Sequence, residues 1–213
     1  MRMLRRNALS FLTCMPIAAA AGGASVATAA VPEEKPKTSG KILFVVTSHG
    51  ELGNTGRKTG YWLSEVTHPW KVLKDAGYEI DFVSPLGGEC PSEGIDASDP
   101  INKEFSQDLS AQKKINFTMK PSDVKPDEYK AIFFAGGHGV MWDFPDNKEL
   151  AAITSKIYEN GGVVAAVCHG PAGLVNVKLS NGKYLVEGKK INSFLYKLRR
   201  KGYWFRQGCA VCT

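Results

Sequence analysis

The sequence predicts a three-layer α/β protein (α/β/α), in which a doubly wound parallel sheet lies between two layers of helices. From Lys41 onward, apolar segments of strand length alternate with longer segments of helical periodicity, and this alternation is typical of a parallel sheet covered by helices. The segment Val163–Val167 has no polar break, as expected of a central strand buried on both faces. Sheets of this kind bind ligands at the carboxyl ends of their strands, so we expect the functional site there.

The two ends of the 213-residue chain differ from this middle part. Residues 1–30 begin with three arginines, continue through an uncharged stretch and end in Ala27-Thr28-Ala29-Ala30, a pattern that predicts a secretory signal peptide with a small-residue cleavage site. The pair Arg5-Arg6 also permits export by the twin-arginine route. We therefore expect an exported protein, periplasmic or secreted, that keeps no membrane anchor, with residues 31–40 as a proline-punctuated linker.

The net charge argues against a nucleic-acid partner. The chain has a formal charge of +6, but residues 1–30 carry three arginines and no acid, and residues 195–213 carry five basic residues and no acid. Residues 31–194 are left with a net charge of −2. They contain no basic stripe, which is the usual electrostatic footprint of nucleic-acid binding.

Cysteine usage argues against a disulfide framework. Of the five cysteines, only Cys90 and Cys168 belong to the middle part of the chain, and a single pair does not make a framework even in an exported protein. Cys209 and Cys212 have the CxxC spacing of redox and zinc sites. We interpret that spacing as accidental, because the tail around it has an unusual sequence.

Each predicted element follows from periodicity and from the residues that start or stop it. Gly77 ends the first helix, and Ser84-Pro85 ends the second strand. Residues 86–128 contain four prolines and are predicted to be loop-rich, with one helix near Lys103–Gln112, so they could form a flap over a site. The predicted strands are residues 42–47, 79–83, 131–135 and 163–167, the other predicted helices are residues 61–76 and 147–160, and residues 184–186 with 190–194 are predicted to form a hairpin.

The strand Val163–Val167 ends abruptly in Cys168-His169-Gly170-Pro171, the cysteine counterpart of the serine nucleophile elbow. Gly170 allows a tight turn, and Pro171 suits the first turn of a helix. A thiol at a helix N-terminus beside an imidazole is expected to have a lowered pKa, which favours the thiolate that attacks a carbonyl carbon. The alternative is an inert buried cysteine; the strand–Cys–helix pattern favours the reactive interpretation.

Two further polar clusters follow other predicted strands, Thr47-Ser48-His49-Gly50 and Gly136-Gly137-His138-Gly139. Both should converge with Cys168 at one edge of the sheet. The glycines form either an oxyanion hole, since backbone N–H groups can approach an oxygen closely there, or a plain turn. The histidines have no metal-ligand partner at short spacing, and no zinc site is expected.

Glu65 lies in the middle of an apolar helix face that includes Val66 and Trp70. It is either a residue at the solvent edge, which is the commoner case, or a buried acid with a raised pKa that is suited to proton transfer. The residues around it leave both interpretations open.

Five segments carry a family resemblance: Thr47–Gly50, the helix Lys58–Pro69 (KTGYWLSEVTHP), Asp81–Pro85, Phe133–Gly139 with Met141-Trp142-Asp143, and Ala165–Ala172 (AAVCHGPA). Together they resemble the ThiJ/PfpI superfamily, which belongs to the class I glutamine amidotransferase-like group of flavodoxin-like folds. The chain is most similar to the branch of glutathione-independent glyoxalases and heat-inducible chaperones. The resemblance runs from about Lys41 to Phe194.

The resemblance implies a role for each candidate residue. Cys168 would be the nucleophile, His169 its neighbour in the dyad, and Glu65 the acid that touches the thiol. The backbone N–H groups of Gly137 and His169 would form the oxyanion hole. The substrate pocket would be lined by Gly136, His138 and Trp142.

The implied reaction converts methylglyoxal or a similar 2-oxoaldehyde into a 2-hydroxy acid such as lactate, without glutathione and without a cofactor. A cysteine peptidase or amidase of the same superfamily would need the same thiolate and oxyanion hole. A non-catalytic alternative is a chaperone-like stress-response homodimer in which Cys168 senses oxidation, because exposed thiolates oxidise readily.

The resemblance ends after about Phe194. The superfamily continues with an acidic helix that carries the third residue of the catalytic triad, whereas residues 195–213 contain no acid and no helical periodicity. We interpret this segment as an aberrant basic tail produced by truncation or a frameshift, which the nucleotide sequence would test. The domain, residues 41–194, is therefore expected to be incomplete at its C-terminus, marginally stable and poorly active.

Overall fold

A computed structural model describes residues 39–193 and 210–212 of the chain. The predicted signal peptide, nearly all of the predicted linker and most of the predicted tail lie outside these described residues. None of the helices within them is both long and apolar enough to cross a membrane.

The described chain alternates strands and helices. Its strands are β1 (Lys41–Val45), β2 (Tyr61–Trp62), β3 (Glu79–Val83), β4 (Ser92–Glu93), β5 (Tyr129–Phe134), β6 (Val163–Ala166) and β7 (Ala210–Cys212). Its helices are α1 (Leu63–Asp75), α2 (Pro100–Gln107), α3 (Leu109–Asn116), α4 (Val140–Asp143) and α5 (Lys148–Glu159). Short 3₁₀ turns occupy Gly53–Thr55, Pro121–Asp123, Pro126–Glu128 and Gly170–Leu174.

The main sheet has the strand order β3-β1-β5-β6-β7. Its first four strands are parallel, so their carboxyl ends meet at one edge, which we call the carboxyl edge. Strand β7 pairs antiparallel with β6, with Val211 opposite Ala165, although the sequence predicts no strand in the tail. The predicted parallel sheet with flanking helices is confirmed.

The core divides into two clusters, one on each face of the sheet, because successive side chains of a strand point to opposite faces. On β1, Leu43 and Val45 pack into one cluster and Phe44 into the other, and all three are fully buried. Helix α5 covers the first face, and helices α1, α2 and α3 cover the second. The helical contacts are made by Leu150, Ile153 and Ile157 on the first face and by Val66, Trp70, Phe105 and Ile115 on the second.

Two predicted helices have different bounds in the structure. The sequence predicts a helix from residue 61, but Tyr61–Trp62 form β2, which pairs in parallel with β4, and α1 begins at Leu63. The single helix predicted near residues 103–112 is two helices. Asp108 adopts an extended backbone between them, and its carboxylate accepts a hydrogen bond from the N–H of Ala111 (2.8 Å), which caps α3.

The predicted hairpin is wrong within its described part, residues 184–193; Phe194 lies outside the described residues. Residues 185–188 form a turn, and Tyr184 makes only an isolated antiparallel bridge with Lys178. Leu185 is buried in the core below this turn. The apolar residues of this segment therefore supply a buried anchor for a loop and do not mark a strand.

Candidate active site

The carboxyl edge brings three of the predicted site residues around Gly136. A Cβ built on Gly136 would lie 2.7 Å from Oε2 of Glu65 and 2.8 Å from Cβ of Cys168. It would also lie 2.8 Å from the backbone nitrogen of His169. Residues from α1, from the loop after β5 and from the loop after β6 therefore meet at one point, as the sequence predicts, and only glycine fits in their middle.

Cys168 lies on the predicted elbow, immediately after β6. It is the one non-glycine residue of the described chain with a positive φ, +54°, a conformation that costs about 1–3 kcal/mol and is concentrated at functional sites. The backbone on either side is fixed, because Val167 donates to the carbonyl of Phe134 (3.1 Å) and Gly170 donates to that of Val167 (2.7 Å). The segment that follows is a 3₁₀ turn of five residues and not the predicted helix.

Glu65 occupies the first turn of α1 and points at the elbow. Its Oε2 accepts a hydrogen bond from the N–H of Gly136 (2.7 Å). Burial raises the pKa of Glu65, and the hydrogen bonds from Gly136 and Cys168 only partly offset this rise. Of the two interpretations that the sequence leaves open, the structure supports the buried acid with a raised pKa.

The pKa of Cys168 differs from the sequence prediction. Burial raises it to about 11, and the negative charge of Glu65 and its hydrogen bond with the thiol add to the rise. The predicted lowering is therefore wrong for the resting site, because the carboxylate beside the sulfur disfavours a second negative charge. The two groups are coupled: when Glu65 takes up a proton, that repulsion disappears, and the neutral carboxyl can donate to a thiolate.

The two predicted oxyanion donors face the sulfur. The backbone N–H groups of Gly137 and His169 hydrogen-bond to it and act against the rise in the pKa of Cys168. Gly137 has φ +104°, and a Cβ there would lie 2.2 Å from the carbonyl oxygen of Gly60. This turn therefore needs glycine both for its backbone angle and for its close contact with the chain that precedes β2.

Gly137→Ala is expected to lower the free energy of unfolding by about 3 kcal/mol or more, since it combines an unfavourable φ with a clash against backbone. Gly182→Ala is the matched control, because Gly182 also has a positive φ (+81°) but no atom lies within 4 Å of a Cβ built there. That control should lose about 1 kcal/mol. Urea denaturation of both variants measures the difference, and equal losses would contradict the close contact.

His169 is buried (4% exposed), and its Nδ1 lies 3.5 Å from Sγ of Cys168. Burial lowers the pKa of His169, and the charge of His138 lowers it further. His169 is therefore neutral at pH 7 and can accept the thiol proton. The rings of His138 and His169 lie 5.2 Å apart between centroids, which places the predicted pocket residue His138 beside this dyad.

Trp142, the remaining predicted pocket residue, lies on α4 and is exposed. Its ring stacks on that of His49, with centroids 4.8 Å apart and planes 8° from parallel. The adjacent Asp143 accepts hydrogen bonds from the hydroxyl of Thr47 and the N–H of Ser48, each 2.8 Å long. Asp143, to which the sequence pattern gives no role, ties the segment after β1 to α4.

Glu93 is a second residue near the site that is not predicted from the sequence. Its Oε1 accepts hydrogen bonds from the backbone N–H of His138 (2.8 Å) and from Nδ1 of the same residue (2.9 Å). No periodic pattern marks Glu93, since it lies in the loop-rich region and on a strand of two residues. Across residues 39–193 and 210–212, no group of three or more His, Cys, Asp or Glu side chains could hold a metal ion.

Sequence comparison relates the chain to a family of known proteins. The model of the DJ-1/PfpI family matches residues 58–205. The glutathione-independent glyoxalase HSP31 of Saccharomyces cerevisiae is 39% identical over 163 residues, which cover 72% of this chain and 68% of that protein. Glyoxalase 3 of Candida albicans is 36% identical over 167 residues, with the same coverage of 72% and 68%.

Comparison with solved structures identifies the same kind of relatives. The crystal structure of glyoxalase III from Candida albicans matches with a TM-score of 0.66 and 34% identity, over 73% of this chain and 68% of that one. The Rapid Encystment Protein of 24 kDa from Francisella tularensis matches with a TM-score of 0.68 and 41% identity, over 72% and 69% of the two chains.

Proposed function

The chain belongs to the DJ-1/PfpI family, and on that premise we propose that it is a glutathione-independent glyoxalase, which converts a small 2-oxoaldehyde such as methylglyoxal into the corresponding 2-hydroxy acid. The support is its similarity to proteins named as glyoxalases together with one geometric observation. The Glu65 carboxyl is held between the N–H of Gly136 and the thiol of Cys168. This places a proton carrier beside a nucleophile, which is what moving hydrogen between adjacent carbons requires.

In the first step of the proposed reaction, His169 accepts the proton of the Cys168 thiol. The thiolate attacks the aldehyde carbon, C1, an S–C bond forms, and the carbonyl electron pair moves to oxygen. The N–H groups of Gly137 and His169 donate to that oxygen, which then takes the proton from His169 and becomes the hydroxyl on C1. The raised pKa of Cys168 leaves little thiolate at neutral pH, so this step depends on transfer of the thiol proton to His169.

In the following steps, Glu65 removes the hydrogen on C1 as a proton and returns it to the adjacent carbon, C2. The C1–H electron pair passes through a C1–C2 double bond, so C1 becomes the carbonyl carbon of a thioester and C2 carries the new hydroxyl. Water then attacks C1, and the S–C bond breaks to release the acid and the thiol. The balance is one water consumed per aldehyde, with no external oxidant or reductant.

The test is to incubate the full chain with methylglyoxal in the absence of glutathione and to follow lactate by NMR. Lactate should accumulate in amounts that match the methylglyoxal consumed. Loss of methylglyoxal without lactate, for example through adducts with lysine or arginine, would contradict the proposal.

Oxidation sensing by Cys168 is a second candidate, favoured by the carboxyl beside the thiol. Burial raises the pKa of Glu65, and its protonated form can donate a hydrogen bond to an oxidised sulfur. Mass spectrometry after mild peroxide separates the two functions. Selective oxidation of Cys168 over Cys90 without aldehyde turnover favours sensing, whereas turnover without that selectivity favours the enzyme.

We further propose that residues 1–30 direct export and are then removed. The support is the sequence pattern alone, namely arginines, an uncharged stretch and a small-residue site at Ala27–Ala30. N-terminal sequencing of the protein recovered outside the cytoplasm should begin near Val31. An exported protein that retains Met1 would contradict removal.

A further inference from the structure

Glu93 is held against the site by a small ribbon that lies apart from the main sheet. Strand β4 pairs in parallel with β2, with Glu93 opposite Trp62. The N–H of Trp62 donates to the carbonyl of Gly136 (3.1 Å), and Gly136 is the residue that also binds Glu65. The ribbon therefore ties Glu93 to the turn that carries the proposed oxyanion donor.

One oxygen of Glu93 holds both the backbone and the ring of His138. The two donors, the backbone N–H and Nδ1, lie 2.8 and 2.9 Å from Oε1. This arrangement differs from an ordinary surface ion pair, which joins two mobile side chains and contributes little. The backbone bond holds the carboxylate beside His138, and a rotation of the ring would break the bond from Nδ1.

The surroundings of Glu93 keep it charged. Partial burial would raise its pKa, but the N–H and ring of His138 outweigh burial, and the pKa of Glu93 is lowered. The Thr59 hydroxyl, at a residue 2% exposed, also contributes to this lowering. That hydroxyl oxygen is buried without a well-formed hydrogen bond in the described part of the chain, so it remains available to the carboxylate.

An anionic carboxylate at Nδ1 determines where the proton of a neutral imidazole resides. It keeps that proton on Nδ1 and leaves the lone pair on Nε2, at the opposite side of the ring. The same arrangement orients metal-binding histidines, where loss of the carboxylate typically costs 10–100-fold. The His138 side chain is 48% exposed, so part of its ring is accessible to a small molecule at the carboxyl edge.

We propose that Glu93 is a positioning residue that holds His138 as its Nδ1–H tautomer, and that Nε2 of His138 carries the proton between the two oxygens of the bound aldehyde. The carbon-bound hydrogen is moved by Glu65, but the hydroxyl proton must also travel, from the oxygen on C1 to the oxygen on C2. Nε2 accepts it from the first oxygen and returns it to the second, so His138 is unchanged at the end. The proton transfer by Nε2 rests on the proposed glyoxalase function, whereas the positioning role of Glu93 does not.

The tautomer is tested without any activity. In the full chain labelled with ¹⁵N-histidine, long-range ¹H–¹⁵N correlation spectra distinguish Nδ1–H from Nε2–H rings, and the signals of His138 are assigned by their loss in His138→Gln. The expected result is that the neutral ring of His138 is in the Nδ1–H form and shifts towards Nε2–H in Glu93→Gln. A His138 ring in the Nε2–H form in the unmodified protein would overturn the positioning role, whether or not the protein is an enzyme.

The kinetic role is tested on lactate formation. Glu93→Gln should lower kcat about tenfold with little change in KM, and Glu93→Asp should recover part of the loss. The double variant Glu93→Gln/His138→Gln should be no slower than His138→Gln alone, because Glu93 acts through His138. Glu89→Gln is the control, since Glu89 is an exposed carboxylate of the same loop, and it should retain full activity.

The outcomes separate the two proposals. If the losses of kcat in Glu93→Gln and His138→Gln multiply in the double variant, or if only KM changes, the relay through His138 is overturned. The glyoxalase proposal is not affected by either result. If the chain forms no lactate at all, the glyoxalase proposal and the relay fail together, and the NMR result still decides the tautomer. Circular dichroism of each variant identifies a loss that comes from unfolding, and Glu93→Asp then replaces Glu93→Gln.

Discussion

Cys168→Ala is expected to reduce lactate formation by a factor on the order of 10³ or more, because it removes the sulfur that forms the bond to C1. The side chain is half-buried and small, so its loss should leave the fold intact. Residue 168 keeps its positive φ in either protein, and the free energy of unfolding should change by less than about 1 kcal/mol. Lactate NMR and urea denaturation on the same preparations measure both effects.

The control for this prediction is Cys90→Ala. Cys90 is also half-buried, but its sulfur lies near the carbonyl of Gly88 (3.8 Å) and the hydroxyl of Thr118 (3.7 Å), in the loop after β3. This variant should retain its activity. Undiminished turnover in Cys168→Ala, or an equal loss in Cys90→Ala, would remove Cys168 from the role of nucleophile.

The sheet could be predicted from the sequence because its strands are short apolar segments that end at turn residues such as Ser84-Pro85. Glu79–Val83 has the same bounds in the prediction and in the structure, and the placement of Thr47–Gly50 and Cys168 after parallel strands of one sheet follows from the strand pattern. The start of α1 could not be predicted in this way. Tyr61–Trp62 are extended because Ser92–Glu93 pair with them, and a partner so distant in the chain leaves no trace in local periodicity.

Part of the site could also be predicted, because it depends on a local pattern of residues. The elbow is a local pattern, and it identifies Cys168 and His169 without knowledge of any contact. The pKa of the thiol depends on burial and on Glu65, which reaches the sulfur only after α1 packs on the sheet. Glu93 could not be predicted from the sequence, because its contact with His138 joins β4 to the turn after β5, 45 positions along the chain.

Glu65→Gln is expected to change two properties of Cys168 in opposite directions. Turnover should fall by a factor of about 10²–10⁴, since glutamine cannot carry a proton between the two carbons. Alkylation of Cys168 by iodoacetamide at pH 8 should become faster, because the charge and hydrogen bond of Glu65 raise the pKa of the thiol and their removal increases the thiolate fraction. The pKa of Cys168, which burial and Glu65 raise to about 11, should therefore move to a lower value, and the pH dependence of alkylation measures it.

The shift should be partial, because burial is the larger cause of the raised pKa and remains in the variant. Glutamine can still accept the hydrogen bond from Gly136, so the geometry of the turn should survive. Peptide mass spectrometry gives the alkylation rate of Cys168 with Cys90 as an internal reference, and Glu89→Gln should change neither property. If Glu65→Gln slows alkylation and turnover together, Glu65 activates the thiol or supports the shape of the elbow, and its charge is not a cause of the raised pKa of Cys168.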